Sequence, residues 1–152
     1  MQTPQPHILK ENEMRKTMLA AAAALTVAGA AQAQQAVTTV LTSPEPQTQL
    51  MAMVLTMQAI GAGASVHVLL CGPAADIALK EPPASATAPQ KPRDASPRSM
   101  LEAIMAKGAG VEVCAIYLPN KGVGPEALMD GVTPAQPPEM AKRMLDSAVW
   151  SF

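Results

Sequence analysis

The chain predicts a three-layer α/β/α domain around a mostly parallel sheet of four to five strands. Three observations carry that expectation. Apolar, β-branched runs alternate with segments patterned at helical spacing, as in βαβ units joined by right-handed crossovers. The run SVHVLLCG (Ser65–Gly72) is apolar almost without a break, as suits a parallel strand covered on both faces. Two helical segments open on Ser-Pro and stop at glycine.

The elements follow in order. Val37–Ser43 (VTTVLTS) is a β-branched strand. Ser43-Pro44 then opens a helix running to about Ile60, with Leu50, Met51, Met53, Val54, Leu55 and Met57 on a wide apolar arc and Gly61 and Gly63 at its end. Ser65–Gly72 is the second strand, and Pro73–Lys80 a short helix. The segment 81–97, rich in Pro, Ala and Ser, reads as a long loop, either a flap over the carboxyl ends of the strands or a mobile excursion. Ser96-Pro97 starts a helix that places Met100, Leu101, Ile104 and Met105 on one face and stops at Gly108. Val111–Leu118 is the third strand and Pro125–Met129 a short helix. The last helix, Glu139–Leu145, turns Met140, Ala141, Met144 and Leu145 inward, and Ala148–Phe152 is a terminal strand. The first strand is expected at the centre of the sheet.

The N-terminal segment has a different character. From Met14, two basic residues precede an apolar stretch, Met18–Ala31, and Ala31-Gln32-Ala33 supplies the small-x-small pattern of a cleavage site. Met14–Ala33 is therefore expected to be a cleavable signal peptide, with 1–13 an extension from an upstream start. Uncleaved, the same segment would be an anchor, but it is short and alanine-rich for a span of about 20 apolar residues. Residues 34–152 then form one domain, periplasmic or secreted, with no membrane span after processing. A formal net charge of −1 and only 2 % aromatic residues argue against nucleic acid as a partner.

Chemistry is sparse. Beyond the leader the chain keeps one histidine, His67, and two cysteines, Cys71 and Cys114. A lone histidine gives no zinc constellation, and His67, alternating with Val66 and Val68, reads as a core or face residue. Met51, Met53 and Met57 would suit soft copper, but methionines at helical spacing are more often core filler. No metal or organic cofactor is expected. Gly61-Ala62-Gly63 follows a helix rather than a strand, so it is no dinucleotide fingerprint, and no Gly-x-Ser-x-Gly elbow is present.

Sites in parallel sheets form beyond the carboxyl ends of the strands. Ser43, Cys71 and the segment Tyr117–Asn120 fall at that edge. Cys114, in the run Val111–Leu118, shares strand parity with Glu112 and Ile116. Both thiols therefore approach one rim, as a redox pair, a disulfide or two packed apolar residues. A reactive thiol needs a nearby cation or helix N-terminus, and Lys121 is the available cation. Glu112 would raise the Cys114 pKa and oppose activation.

The order of motifs resembles the DsrE/DsrF-like (DsrEFH-like) family, which includes TusD-type sulfur-relay subunits. The resemblance rests on Val111–Ile116 interrupted by Cys114, the turn Asn120-Lys121-Gly122, Gly131-Val132-Thr133, the helix Glu139–Leu145 and the closing Val149-Trp150-Ser151-Phe152. The N-terminal half adds a strand, the Thr42-Ser43 turn, a long apolar helix and Gly63-Ala64-Ser65-Val66. The resemblance implies a homo-oligomer, trimer or hexamer, in which Cys114 carries sulfane sulfur as a persulfide between thiol or sulfane-sulfur donor and acceptor proteins. The activity that the resemblance implies is that of a sulfurtransferase or sulfur carrier. Cys71, Lys121, Asn120, Tyr117 and Ser43 are the supporting candidates. The alternative is a non-catalytic oligomeric binding or scaffold protein with structural cysteines.

Overall fold

The computed structural model describes residues 35–152; the expected leader and the extension before it lie outside the described residues. Five strands form one sheet: β1 (Ala36–Leu41), β2 (Ser65–Leu70), β3 (Gly110–Val113), β4 (Val132–Pro134) and β5 (Ala148–Ser151). Their order is β4-β3-β2-β1-β5, and every neighbouring pair is parallel. The middle strand is thus β2, with β1 interior beside it, rather than β1 at the centre as expected.

The helices are α1 (Pro46–Gly61), α2 (Ala84–Thr87), α3 (Pro97–Ala106), α4 (Tyr117–Lys121) and α5 (Pro137–Leu145), with 3₁₀ turns at Gly72–Ala78 and Pro125–Ala127. Their distribution follows from handedness. The chain steps from β1 to β4 in one direction, so right-handed crossovers put α1 and α3 on one face of the sheet. The connection from β4 back to β5 runs the opposite way, which puts α5 on the other face.

The two faces differ in cover. Val37, Leu41, Val66, Val68, Leu70, Val111 and Val113 alternate toward α1 and α3 and join Met53, Leu101 and Ile104 in the main core. A buried hydroxyl pair, Thr39 Oγ1 to Thr56 Oγ1 at 2.8 Å, ties β1 to α1, and Thr56 also donates to the Ala52 carbonyl at 2.7 Å. On the opposite face Leu69, Ala135 and Met140 form a smaller cluster joined by Val40, Met144 and both cysteines. A nine-residue helix is about 14 Å long and the sheet about 19 Å wide, so α5 alone is a thin roof.

Several boundaries differ from expectation, each for a local reason. Helix α1 starts at Pro46, not Pro44: a second proline takes the first helical position, and Ser43 Oγ accepts instead from the Glu45 N–H. The Ser96-Pro97 start holds, with a reciprocal cap between Ser96 and Ser99. The expected strand Val111–Leu118 stops at Val113; the chain turns at Ala115-Ile116 and coils into α4, which ends on Gly122 in the left-handed region. A β-branched apolar run concealed that turn. The segment Val132–Pro134, noticed only as part of a motif, is edge strand β4, short enough to escape a periodicity test. In α5 Met140 is buried and Met144 partly so, but Ala141 is exposed and Leu145 is 87 % exposed. The insertion 81–97 is not structureless: it contains α2 and an antiparallel bridge Gln90–Ala95, and its ends are drawn together where Arg98, just after it, donates to the carbonyls of Ile77 and Leu79, just before it.

Candidate functional site

Register brings the cysteines together. Leu70 pairs with Val113, so the next step places Cys71 opposite Cys114. Both remain in the ladder: the Cys71 N–H donates to the Leu41 carbonyl at 2.9 Å and the Cys114 N–H to that of Leu70 at 2.8 Å. Their Cα atoms stand 5.0 Å apart, inside the roughly 4.4–6.8 Å span of disulfides, and the sulfurs are bonded. Of the three readings left open above, the pair is a disulfide, and the chain then has no free thiol. Cys114 does share a face with Glu112. Ile116 does not continue that row, because the strand has ended; it is 72 % exposed at the start of α4.

The disulfide forms part of the wall of an open cavity of about 530 Å³ at the carboxyl edge of the sheet. The turn after β2 contributes Gly72, Pro73 and Asp76, and the turn after β3 contributes Ile116, Tyr117, Asn120 and Lys121. Asp76 organises the far wall. Its Oδ1 accepts from the Tyr117 hydroxyl at 2.6 Å, and its two oxygens lie 2.8 and 3.0 Å from Lys121 Nζ. Burial, then the hydrogen bond and charge of Asp76, push the Tyr117 phenol far above its usual range, so it stays a neutral donor. Asn120 Nδ2 donates to the Ile116 carbonyl at 2.7 Å and stiffens α4.

Four of the five supporting candidates thus meet Cys114 in one cavity: Cys71, Tyr117, Asn120 and Lys121. Ser43 does not line it. Lys121 is not a free cation beside the sulfur, because Asp76 neutralises it. Asp76 itself went unnoticed, being an isolated carboxylate in an alanine-rich segment. The usable signal was its position one short turn beyond a strand that ends at the rim. The insertion 81–97 is no flap over this cavity, for none of its residues lines it. Its Gln90–Ala95 part packs beside α1 and borders a separate groove of about 620 Å³.

A second titratable cluster lies deeper on the same face as the disulfide. His67 Nε2 stands 2.6 Å from Glu112 Oε2, both side chains mostly buried. The ring N–H is not aligned on that oxygen, so the contact is electrostatic rather than a formed hydrogen bond. Gly110 lies opposite His67, and a Cβ there would come within 2.6 Å of Nδ1; the glycine makes room for the ring. Burial and then Arg143 lower the His67 pKa, against the opposing pull of Glu112. His67 is thus a residue of the sheet face, as expected from sequence, but its buried Nε2 is not satisfied by a formed hydrogen bond. Among the described residues no three His, Cys, Asp or Glu side chains gather as a metal site. Met53 is sealed in the core while Met51 is 55 % exposed, so the α1 methionines do not converge.

No helix among the described residues is long and apolar enough to cross a membrane. No family model matches the chain, and no curated protein matches it. Solved structures do. The ychN protein from E. coli superposes with a TM-score of 0.59 at 22 % identity, over 78 % of this chain and 100 % of that one. The protein of unknown function MTH1491 from Methanobacterium thermoautotrophicum gives a TM-score of 0.59 at 10 % identity, with the same coverage of each chain. At these identities the likeness is one of fold: a five-stranded parallel sheet in a three-layer α/β/α arrangement, compatible with the DsrE-like architecture.

Proposed function

We propose that the chain is an exported DsrE-like protein that handles sulfane sulfur, with Cys114 as the sulfur-bearing residue once the Cys71–Cys114 bond is open. The observation that carries this reading is the position of the sulfurs: they border a cavity at the carboxyl edge of a parallel sheet instead of lying in the core. In the reduced protein a Cys114 thiolate attacks the outer sulfur of thiosulfate, a sulfur–sulfur bond forms, and sulfite departs with the electron pair of the broken bond. The resulting persulfide sits in a partly apolar pocket, where a protein thiol of an acceptor collects it. Tyr117 and Lys121, held by Asp76, frame the pocket; the Tyr117 hydroxyl proton is committed to Asp76, and the ammonium N–H of Lys121 not used on Asp76 is the donor left for an incoming anion. A disulfide suits an oxidising compartment, in keeping with the signal peptide expected at Met14–Ala33. Self-assembly into a trimer or hexamer fits the exposed apolar side chains Met51, Leu55, Leu145 and Val149, and the mass of the native particle in solution tests it.

Reduced mature protein incubated with thiosulfate is expected to gain one sulfur by intact mass. The gain is lost in Cys114→Ala and kept in Cys71→Ala. One observation favours a second reading, a non-catalytic binding or scaffold protein: the cysteines are already bonded across adjacent strands. A folded, reduced chain that takes up no sulfur supports that reading and removes the first.

A further inference from the structure

Resting on the reading above, we infer that Cys71 is a resolving thiol, so that the closed disulfide is itself the substrate-ready state and reacts with hydrosulfide. The argument begins with register. The two cysteines occupy facing positions one step beyond the β2–β3 ladder, and the Cys114 N–H to Leu70 carbonyl bond at 2.8 Å fixes that alignment through the backbone. Opening the sulfur–sulfur bond leaves this backbone frame in place, with the Cα atoms 5.0 Å apart. A thiol released at Cys71 therefore stays within striking distance of Cys114 at a high effective concentration. Both cysteines line the same cavity, so a small nucleophile that reaches one sulfur reaches the site where the other departs.

The step balances without a further reagent. Hydrosulfide forms a bond to Cys114 Sγ, the Cys71–Cys114 bond breaks, and its electron pair leaves on Cys71 Sγ as a thiolate. The incoming sulfur is oxidised to the sulfane level, the disulfide is reduced by the same two electrons, and the proton of hydrosulfide is shared between the new persulfide and the Cys71 thiolate. In reverse, the Cys71 thiolate attacks Cys114 Sγ, closes the disulfide and expels the outer sulfur as hydrosulfide. The pair thus loads a persulfide from inorganic sulfide. When no acceptor thiol arrives, it returns the sulfur and protects itself by closing. A carrier with Cys114 alone has neither property.

The test uses oxidised full mature protein under nitrogen. Excess sodium hydrosulfide is added, thiols and persulfides are trapped with iodoacetamide, and the chain is weighed intact and mapped by peptide. The expected product carries an alkylated persulfide on Cys114 and an alkylated thiol on Cys71. Removing hydrosulfide before trapping restores the disulfide with release of one sulfide. In Cys71→Ser no loading from hydrosulfide occurs, while thiosulfate still loads Cys114 in the reduced state. That persulfide then outlives the wild-type one by on the order of tenfold or more. A native disulfide inert to hydrosulfide, a persulfide found on Cys71, or equal persulfide lifetimes in wild type and Cys71→Ser would each overturn the inference. Should Cys71→Ser fail to fold, the wild-type trapping and release experiments decide alone. If reduced Cys71→Ala, which cannot resolve the persulfide, refuses sulfur from thiosulfate, the proposed function falls; if it accepts sulfur but the wild-type disulfide ignores hydrosulfide, only the resolving role of Cys71 falls.

Discussion

The two faces of the sheet do different work. Toward α1 and α3 the strands present Val37, Leu41, Val66, Val68, Leu70, Val111 and Val113, an aliphatic surface closed by two helices. Toward α5 the same strands present Thr38, His67, Leu69, Glu112 and the cysteine pair, under a single short helix. Alternation along each strand is what separates them, so every residue with chemistry to offer in β2 and β3 falls on the thinly roofed side. The aliphatic core and the polar, disulfide-bearing residues thereby lie on opposite faces, and the packing of one can be perturbed apart from the other.

The disulfide gives the largest expected effect that breaks this division. Its cysteines are 43 residues apart, and chain entropy alone gives such a cross-link about 4 kcal/mol of stabilisation. The aliphatic face does not depend on it. Reduced protein is therefore expected to keep its native circular dichroism at 25 °C while its urea midpoint falls by an amount equivalent to about 4 kcal/mol. A reduced chain that unfolds outright would mean that the site face holds the fold together, and that a cycle of opening and closing has no folded state to run in.

Neighbouring leucines sharpen the same contrast. Leu70 is fully buried between β2 and the α1–α3 layer, whereas Leu69, 7 % exposed, lies under α5. Leu70→Ala leaves a cavity in the fully buried main core and should cost about 3–4 kcal/mol. Leu69→Ala sits where the roof can settle or water can enter, and about 2 kcal/mol is expected. Equilibrium denaturation of the two variants measures the difference; equal losses would show that α5 packs as tightly as the opposite layer.

The sequence made the architecture legible but the site only in outline, and particular residues show why. Val66, Val68 and Leu70 are joined on the other parity by Leu69 and Cys71, with His67 the one polar interruption after Val66, so β2 announced itself as a strand covered on both sides. Cys71 and Cys114 could be sent to one rim, because Cys71 ends one apolar run and Cys114 stands toward the end of another, and a parallel sheet must align the two. Their bond needed the register of β2 on β3, which depends on where β3 begins, at Gly110, and no local signal fixes that. Tyr117 and Leu118 looked like strand because aromatic and aliphatic residues serve both structures; Pro119 and the left-handed Gly122 decide for a helix only once the chain has somewhere to turn. Asp76 remained hidden for a related reason. Its partners lie 41 and 45 positions away, at Tyr117 and Lys121, and a carboxylate acquires a role only when tertiary structure brings a donor to it.

The smallest expected effect concerns pH and isolates the site face. His67 faces Glu112 from β3 and Arg143 from α5, and burial with Arg143 outweighs Glu112, so its folded pKa lies below the ordinary 6.5. The unfolded chain then binds more protons than the folded one as pH falls past about 6.5, and stability declines in that direction. The contribution is complete above the unfolded value and disappears as pH drops through the folded one. Wild type should therefore lose thermal stability between neutral pH and mildly acidic pH, and His67→Gln should flatten that part of the profile, whatever its stability at pH 8. Because Val68 and Leu70, the next residues of the strand on the other side, carry no titratable group, the flattening has to come from the α5 face alone. A profile that keeps its slope in His67→Gln would place the acid-sensitive group elsewhere. A slope of opposite sign in wild type would mean that Glu112 prevails over burial, making His67–Glu112 a charged pair instead of a neutral ring beside a carboxylate.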